Sequence, residues 1–314
     1  MVVADFRQLQ PIGVGGLCQR HCSRMQSVKL KTVYRSSDEA HLLFLNRIRE
    51  KQPEKATLRE YFADRHWQDQ SMEACVAAGM KLAEQAGEPF SWLTCANSGA
   101  SDVCTSALSV LGISAEELAS GFLCDPATKS ELRILARKGI LIRLSRNFDK
   151  QRGFVNGALA EIEYPLRGNS VFTARLIGTG NMVLVHLMEE DGAVFLPCCY
   201  GYATTIRRAQ GADLFHGCIY MDLKSRAAAR GYGYVAASRF KFRSGCYLYG
   251  KLRRTDFLPV GEEQEDEVLE RGYSSVSSGD SEGAGLEYAF SEEDADSEYE
   301  YQGDGNALLA VDFE

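Results

Sequence analysis

The chain has 314 residues, 45% of them hydrophobic and 25% charged, with ten cysteines. That length carries roughly two domains with real cores, and no apolar run approaches the roughly 20 residues of a spanning helix, so no membrane association is expected. The net charge of −8 is unevenly divided: from Glu262 onward stand 18 Asp/Glu and one basic residue, Arg271, leaving 34 Lys/Arg against 25 Asp/Glu (+9) in residues 1–261. A basic body suits a polyanionic partner. The acidic, Ser/Gly-rich stretch 261–314 is too poor in apolar residues to bury a core. It predicts a disordered tail that either solubilises the chain or competes with nucleic acid for the body.

The opening "MVVADFRQLQPIG" has neither a basic n-region nor a long apolar h-region, so no secretory signal is read there. With cysteines that follow no disulfide-framework rhythm, this predicts a reducing, intracellular compartment. "VVADF" reads as a short buried strand ended by Pro11, Gly13, Gly15 and Gly16. In "LCQRHC", Cys18, His21 and Cys22 supply three potential zinc ligands, but a structural site needs four and no second pair follows. A loop is the expectation, and no metal site.

Ser36 and Glu39 have capping-box spacing ahead of Leu42, Leu45 and Ile48, predicting a helix that starts near Ser36 or Ser37. The same segment spells Asp38-Glu39-Ala40-His41, the magnesium box of many nucleic-acid-dependent ATPases. Such an acid pair needs the exposed end of a buried strand, whereas the approach here, Val33 to Ser37, is polar. The acids therefore read as the first turn of a helix, favourable to its dipole, with His41 on the helix surface.

"SMEACVAAGMKLAEQAG" predicts a second helix stopped at Gly87. "FSWLTC" is a strand and "NSGASDVCTSALSVLG" a helix opened by Asn97 or Ser98; the alternation argues for a parallel α/β sheet. "GILIRLSRN" is another strand. From about 158 to 198, short alternating strands separated by Gly, Asn and Asp turns predict a small all-β module inserted in the α/β domain. "TTIRRAQGA" reads as helical, "GCIYMDL" as strand, "AAARGYGYVAASR" as helical and "GCYLYG" as strand, closing the domain near Pro259. "GCYLYGKL" also fits the phosphate-loop pattern G-x-x-x-x-G-K. Cys246, Tyr247, Leu248 and Tyr249 are strand formers, however, and Leu252 stands where a magnesium-binding hydroxyl belongs.

Six stretches carry a resemblance: "ADFRQLQPIG", "VYRSSDEAHLLFLNRIRE", "WLTCANSGASDV", "RNFDKQRGFVNGALAEI", "YATTIRRAQGADL" and "YVAASRFKFRSGCYL". In this order they resemble motifs III to VI, with two intervening signatures, of superfamily-one 5′→3′ DNA helicases of the RecD and Pif type, over most of residues 1–258. The resemblance implies a RecA-like, P-loop-NTPase-type α/β domain, the second motor domain, over 17–157 and 199–260. It implies a remnant of the first motor domain at 1–16, and an SH3-like β-barrel as the 158–198 insertion.

It further implies roles for single residues. Gln8 would sense the γ-phosphate, Arg35 and Arg239 would clamp it, and Gln210 and Gly211 would lie near the nucleotide. A planar, always-charged guanidinium suits the spread charge of phosphoryl transfer. Thr94, Asn97, Asn156, Gly157, Thr205, Arg207 and Arg208 would lie along single-stranded DNA. The implied cofactors are ATP and Mg²⁺, and the implied partners are single-stranded DNA, duplex junctions and a first motor domain. Nucleus and mitochondrion both fit.

The departures from the family pattern are specific. Arg207-Arg208 replace the usual His-Lys, which keeps the charge and puts the coupling to DNA in doubt; Ala4 and Gln10 are mild changes in motif III. No G-x-x-x-x-G-K-[ST] loop and no Asp-Glu strand precedes motif III, so there is no phosphate cradle and no magnesium ligand. The expectation is a chain without ATPase activity by itself. The alternative is a non-catalytic DNA-binding or scaffold protein derived from a helicase.

Overall fold

The structure is a computed structural model that describes residues 36–222 and 230–260. The motif III strand with Gln8, the Cys18/His21/Cys22 stretch, Arg35 and the acidic segment 261–314 lie outside the described residues.

Helix α1 (Glu39–Glu50) is capped by Asp38, whose Oδ1 accepts from His41 N at 3.0 Å. The start thus falls after the expected Ser36 or Ser37. Asp38 wins because its other oxygen, Oδ2, also accepts from Arg243 N at 2.8 Å, a contact from 205 residues away. Ser36 instead accepts from Asp38 N at 3.1 Å. The expected surface position of His41 is also corrected: it is fully buried. Helix α2 (Lys55–Phe62) brings Tyr61 Oη to 2.6 Å from His41 Nδ1, and Phe240 O lies 3.0 Å from Nε2.

Strand β1 (His66–Trp67) leads into helix α3 (Met72–Ala86). Both ends of α3 are as the sequence predicts. Ser71 Oγ accepts from Ala74 N at 3.2 Å, and Gly87 closes the helix at φ +67°. Ser71→Ala is expected to lower stability by about 1 kcal/mol in urea unfolding. Strand β2 (Phe90–Thr94) is buried at every position, and helix α4 (Asn97–Val110) follows, then the short α5 (Ala115–Ala119).

A run of β structure follows: β3 (Phe122–Cys124), β4 (Arg133–Ile134), β5 (Leu141–Leu144), β6 (Leu159–Pro165) and β7 (Val171–Leu176). It continues through β8 (Met182–His186), β9 (Met188–Glu190), β10 (Ala193–Leu196) and β11 (Cys198–Tyr200). The chain then returns through β12 (Ala203–Thr205), β13 (His216–Tyr220), helix α6 (Tyr232–Ala237) and β14 (Cys246–Tyr249).

The central sheet, in order β1-β14-β13-β2-β12, is parallel at every pairing, as the alternation of strands and helices predicts. The other strands form an antiparallel sheet, β11-β5-β6-β7-β8, and a mixed sheet, β4-β3-β10-β9. Pairing therefore extends past residues 158–198 on both sides: β5 lies between β6 and β11, which take up its backbone groups on both edges.

Residues 206–211, where a helix was expected, form successive turns instead. Ile206 N still donates to Thr94 O at 2.8 Å, extending the sheet contact, and Gly211 sits at φ +87°, which stops a helix from propagating. The four residues between the glycines of the phosphate-loop spelling, Cys246–Tyr249, are strand β14, as their side chains predict. A Cβ on Gly245 would lie 1.8 Å from Phe215 O, so packing explains that glycine.

The period of two along the central strands divides the core. Leu93, Ile219, Cys246 and Leu248 face α1, α2 and α6, packing with Phe44, Leu58, Phe62, Val235 and Phe240. Trp92 and Cys218 point to the other face, toward α3 and α4, into a cluster that continues through Val103, Ile142, Ile162, Phe172 and Val185 of the antiparallel sheet. The two β regions thus share apolar packing on one side of the parallel sheet. Among the described residues no helix is long and apolar enough to cross a membrane.

Candidate nucleic-acid interface

Strands β2 and β12 end side by side, with Thr94 opposite Thr205 in register. The carboxyl ends of parallel strands are where α/β folds build their sites, because the chain leaves each strand there to start a helix or turn. At this edge a cleft opens between the parallel sheet and the antiparallel one. Asn97 and Ser101 line it from the first turns of α4, and Thr204, Thr205 and Arg208 from β12 and the turn beyond. The far wall holds Thr128, Lys129 and Ser130 of a 3-10 turn and its exit, together with Arg143 of β5. Three cations and several hydroxyls line the cleft, and no carboxylate does.

Each wall has a mechanical explanation. Asp125 is buried and caps the 3-10 turn Pro126–Thr128 through Ala127 N at 2.9 Å. Its carboxylate is gripped by Arg146 (Nε to Oδ2 2.6 Å, Nη2 to Oδ1 3.0 Å) and by Ser145 Oγ at 2.6 Å. Burial pushes the Asp125 pKa up, but these donors outweigh it and hold the carboxyl below the usual carboxylate value. The turn so fixed offers its carbonyls to the cleft: Arg208 Nη1 donates to Thr128 O at 3.0 Å and Nη2 to Ala127 O at 2.9 Å. Arg143 Nη1 donates to Gly157 O at 3.0 Å.

The start of α4 is not an open anion site. Asp222, just past β13, accepts from Cys95 N at 2.6 Å and from Ala96 N at 3.2 Å. Burial raises its pKa, and the N–H donors at the helix start offset part of that rise. Gly99 is required there, since a Cβ would come within 2.1 Å of Asp222 Oδ2.

Of the DNA-track residues expected from sequence, Asn97, Thr205 and Arg208 converge in this cleft. Gly157 joins them through its carbonyl bond to Arg143, and stands at φ +89° in an exposed turn. Neighbouring Asn156 is exposed, its N–H donating to Asn147 Oδ1 at 2.9 Å. Thr94 is fully buried, with Oγ1 donating to Ala96 O at 2.8 Å, and lies beneath the cleft floor. Arg207 points elsewhere, donating from Nε to Tyr232 Oη at 3.0 Å with its guanidinium 5.6 Å from that ring's centroid.

Gln210 and Gly211 are exposed on the turn after β12. Arg239, at the end of α6, is buried, with Nε donating to Val235 O at 3.1 Å and Nη2 to Ser238 Oγ at 2.9 Å. Two of the three cleft cations, Lys129 and Arg143, belong to no motif stretch. The only sequence signal for Arg143 is its place in "LIRL", a charge at the out-of-phase position of an alternating strand. Among the described residues no group of three or more His, Cys, Asp or Glu is arranged to hold a metal ion. Nor do they fit a nucleotide phosphate cradle: the stretch with the phosphate-loop spelling is a paired strand between β13 and β1.

No family model and no curated protein matches the sequence. Solved structures do match in fold. The crystal structure of a Pif1 helicase from Bacteroides in complex with ADP-AlF3 and ssDNA aligns at 16% identity and a TM-score of 0.55, covering 80% of this chain and 62% of that one. Bacteroides Pif1 bound to ssDNA aligns at 15% identity and 0.52, covering 80% and 62%. The Pif1 helicase of Candida albicans aligns at 18% identity and 0.51, covering 75% and 59%. The chain thus has a fold seen in these helicases and spans about three fifths of their length.

Proposed function

We propose that the chain is the second motor domain of a Pif/RecD-type superfamily-one DNA helicase, and that its own activity is to grip single-stranded DNA. The observation that carries this reading is the acid-free cationic cleft in which Asn97, Thr205 and Arg208 meet, on a fold shared with helicases solved on ssDNA. Hydroxyls and guanidiniums at the carboxyl edge of a parallel sheet suit a phosphodiester backbone, which is recognised by charge and hydrogen bonds without reference to base. In the complete motor the activity would be ATP-driven 5′→3′ translocation and unwinding. Arg35 and Arg239 would then act on the γ-phosphate from this side, with Gln8, Gln210 and Gly211 near the nucleotide.

ATP and Mg²⁺ would be held by a first motor domain, since the described residues build no phosphate cradle. The same lack favours a second reading, a DNA-binding protein that works without catalysis. The purified chain is expected to bind a labelled oligothymidylate at low salt and to show no DNA-stimulated ATP hydrolysis. Arg208→Ala should weaken binding by about tenfold and flatten the slope of log affinity against log salt by about 0.7, the share of one phosphate contact. An oligonucleotide affinity unaffected by Arg208→Ala would remove the cleft from the reading. ATP turnover by this chain would overturn the expectation that it has no ATPase activity by itself.

A further inference from the structure

Arg143 has no place in the helicase-like motifs, yet it is the least satisfied cation of the cleft. Strand β5 turns Ile142 and Leu144 into the antiparallel core, so Arg143 faces the other way, opposite Cys199 of β11 in register. Its Nη1 reaches Gly157 O, while its Nε is buried and has no hydrogen-bond partner. No carboxylate forms an ion pair with it among the described residues, and none lines the cleft. Burial lowers its pKa, and the like charge of Arg208 lowers it further against the opposing influence of Cys199 and Cys104.

A half-dry guanidinium beside a second one, with no counter-ion, costs stability in the empty protein. A perturbed cation lining a cleft marks a candidate functional site, and an anion from outside would supply the missing counter-charge. The surrounding groups narrow the anion's chemistry. Thr205, Ser130 and Ser101 offer hydroxyls, and two guanidiniums present planar forks that match tetrahedral phosphate oxygens.

We propose that Arg143 is a binding residue for a phosphate group in this cleft, acting with Arg208, and that the group is one phosphodiester of the single-stranded DNA. The inference rests on the DNA-gripping reading for the source of the phosphate, but not for the phosphate site itself.

The test compares the full chain with Arg143→Met and Arg143→Lys. Methionine keeps the volume of the stem and removes the uncompensated charge, so without ligand its melting temperature should equal or exceed that of the natural chain. Its affinity for labelled oligothymidylate should fall five- to tenfold, with a salt slope lower by about 0.7. Lysine should restore part of the affinity, as a point charge without the fork. In a parallel arm, inorganic pyrophosphate should raise the melting temperature of the natural chain and not of Arg143→Met.

Oligothymidylate binding and pyrophosphate stabilisation that are both unchanged in Arg143→Met would overturn the proposal while leaving the DNA reading intact. Arg143-dependent stabilisation by pyrophosphate, in a chain that ignores the oligonucleotide, would support the phosphate site and overturn its assignment to DNA. A chain that responds to neither ligand would overturn both.

Discussion

Arg146→Ala is expected to destabilise the chain by about 3–5 kcal/mol, and Asp125→Ala by only about 2 kcal/mol, although the two substitutions break the same ion pair. The asymmetry follows from burial. Asp125 is inaccessible, whereas the Arg146 side chain keeps 30% of its surface in water and holds a second partner, Glu190, at 2.8 Å. Removing Arg146 strands a carboxylate in the interior with only Ser145 Oγ and Ala127 N to bind it. Removing Asp125 leaves a cation that reaches both water and Glu190.

Urea unfolding of both variants measures the difference, and equal losses would show that burial is not what sets it. Both variants should also bind oligothymidylate more weakly, because Asp125 fixes the turn whose carbonyls hold Arg208. The pH sign is definite. The folded Asp125 carboxyl lies below its ordinary value, so its contribution is present above about pH 4 and is lost as pH falls through the depressed folded value. The acid limb of the stability profile should therefore flatten in Asp125→Ala.

What the sequence made legible was local or periodic. Helix α3 was readable at both ends because Ser71 and Gly87 act within one turn of themselves. Strand β2 was readable because Phe90, Trp92 and Leu93 make a short β-forming run between the Gly87 stop and the next helix. The errors occurred where a distant partner decides. The cap of α1 moved to Asp38 because Arg243 N needs its second oxygen. The turns at 206–211 have helix-forming side chains, but Ile206 N is taken by Thr94 O across the sheet and Gly211 adopts a positive φ. The strand at 141–144 was visible, but its sheet was not, since pairing with 159–161 and 198–200 leaves no mark on the strand itself. Half of the cleft was legible through motif residues Asn97, Thr205 and Arg208. The other wall, with Thr128, Lys129, Ser130 and Arg143, arrives through tertiary packing and carries no spacing of its own.

His41 shows the same lesson with the larger consequence. His41→Ala is expected to cost about 3–4 kcal/mol, combining a buried cavity with the loss of hydrogen bonds to Phe240 O and Tyr61 Oη. The geometry assigns the proton: Phe240 O only accepts, so Nε2 donates to it, and Nδ1 accepts from Tyr61 Oη. This neutral imidazole ties α1 to α2 and to the peptide that follows Arg239, at the junction of three helices. His41→Phe preserves the volume but leaves the Phe240 carbonyl unpaired and the Tyr61 hydroxyl with Cys246 alone, so it should recover only part of the loss.

Burial lowers the His41 pKa and Arg65 adds to the lowering, against the Phe240 hydrogen bond and the charge of Asp38. The unfolded chain therefore binds this proton more readily than the folded one. The contribution is complete above about pH 6.5 and declines as pH falls toward and through the depressed folded value, at a slope approaching ~1.4 kcal/mol per pH unit. Unfolding free energies of the natural chain and His41→Phe, measured between pH 5 and pH 8, should converge toward the acid side. Profiles that instead diverge toward the acid side would mean that His41 carries its proton in the folded state. The string Asp-Glu-Ala-His would then owe its histidine to a charge, and the neutral link between α1, α2 and Phe240 would be wrong.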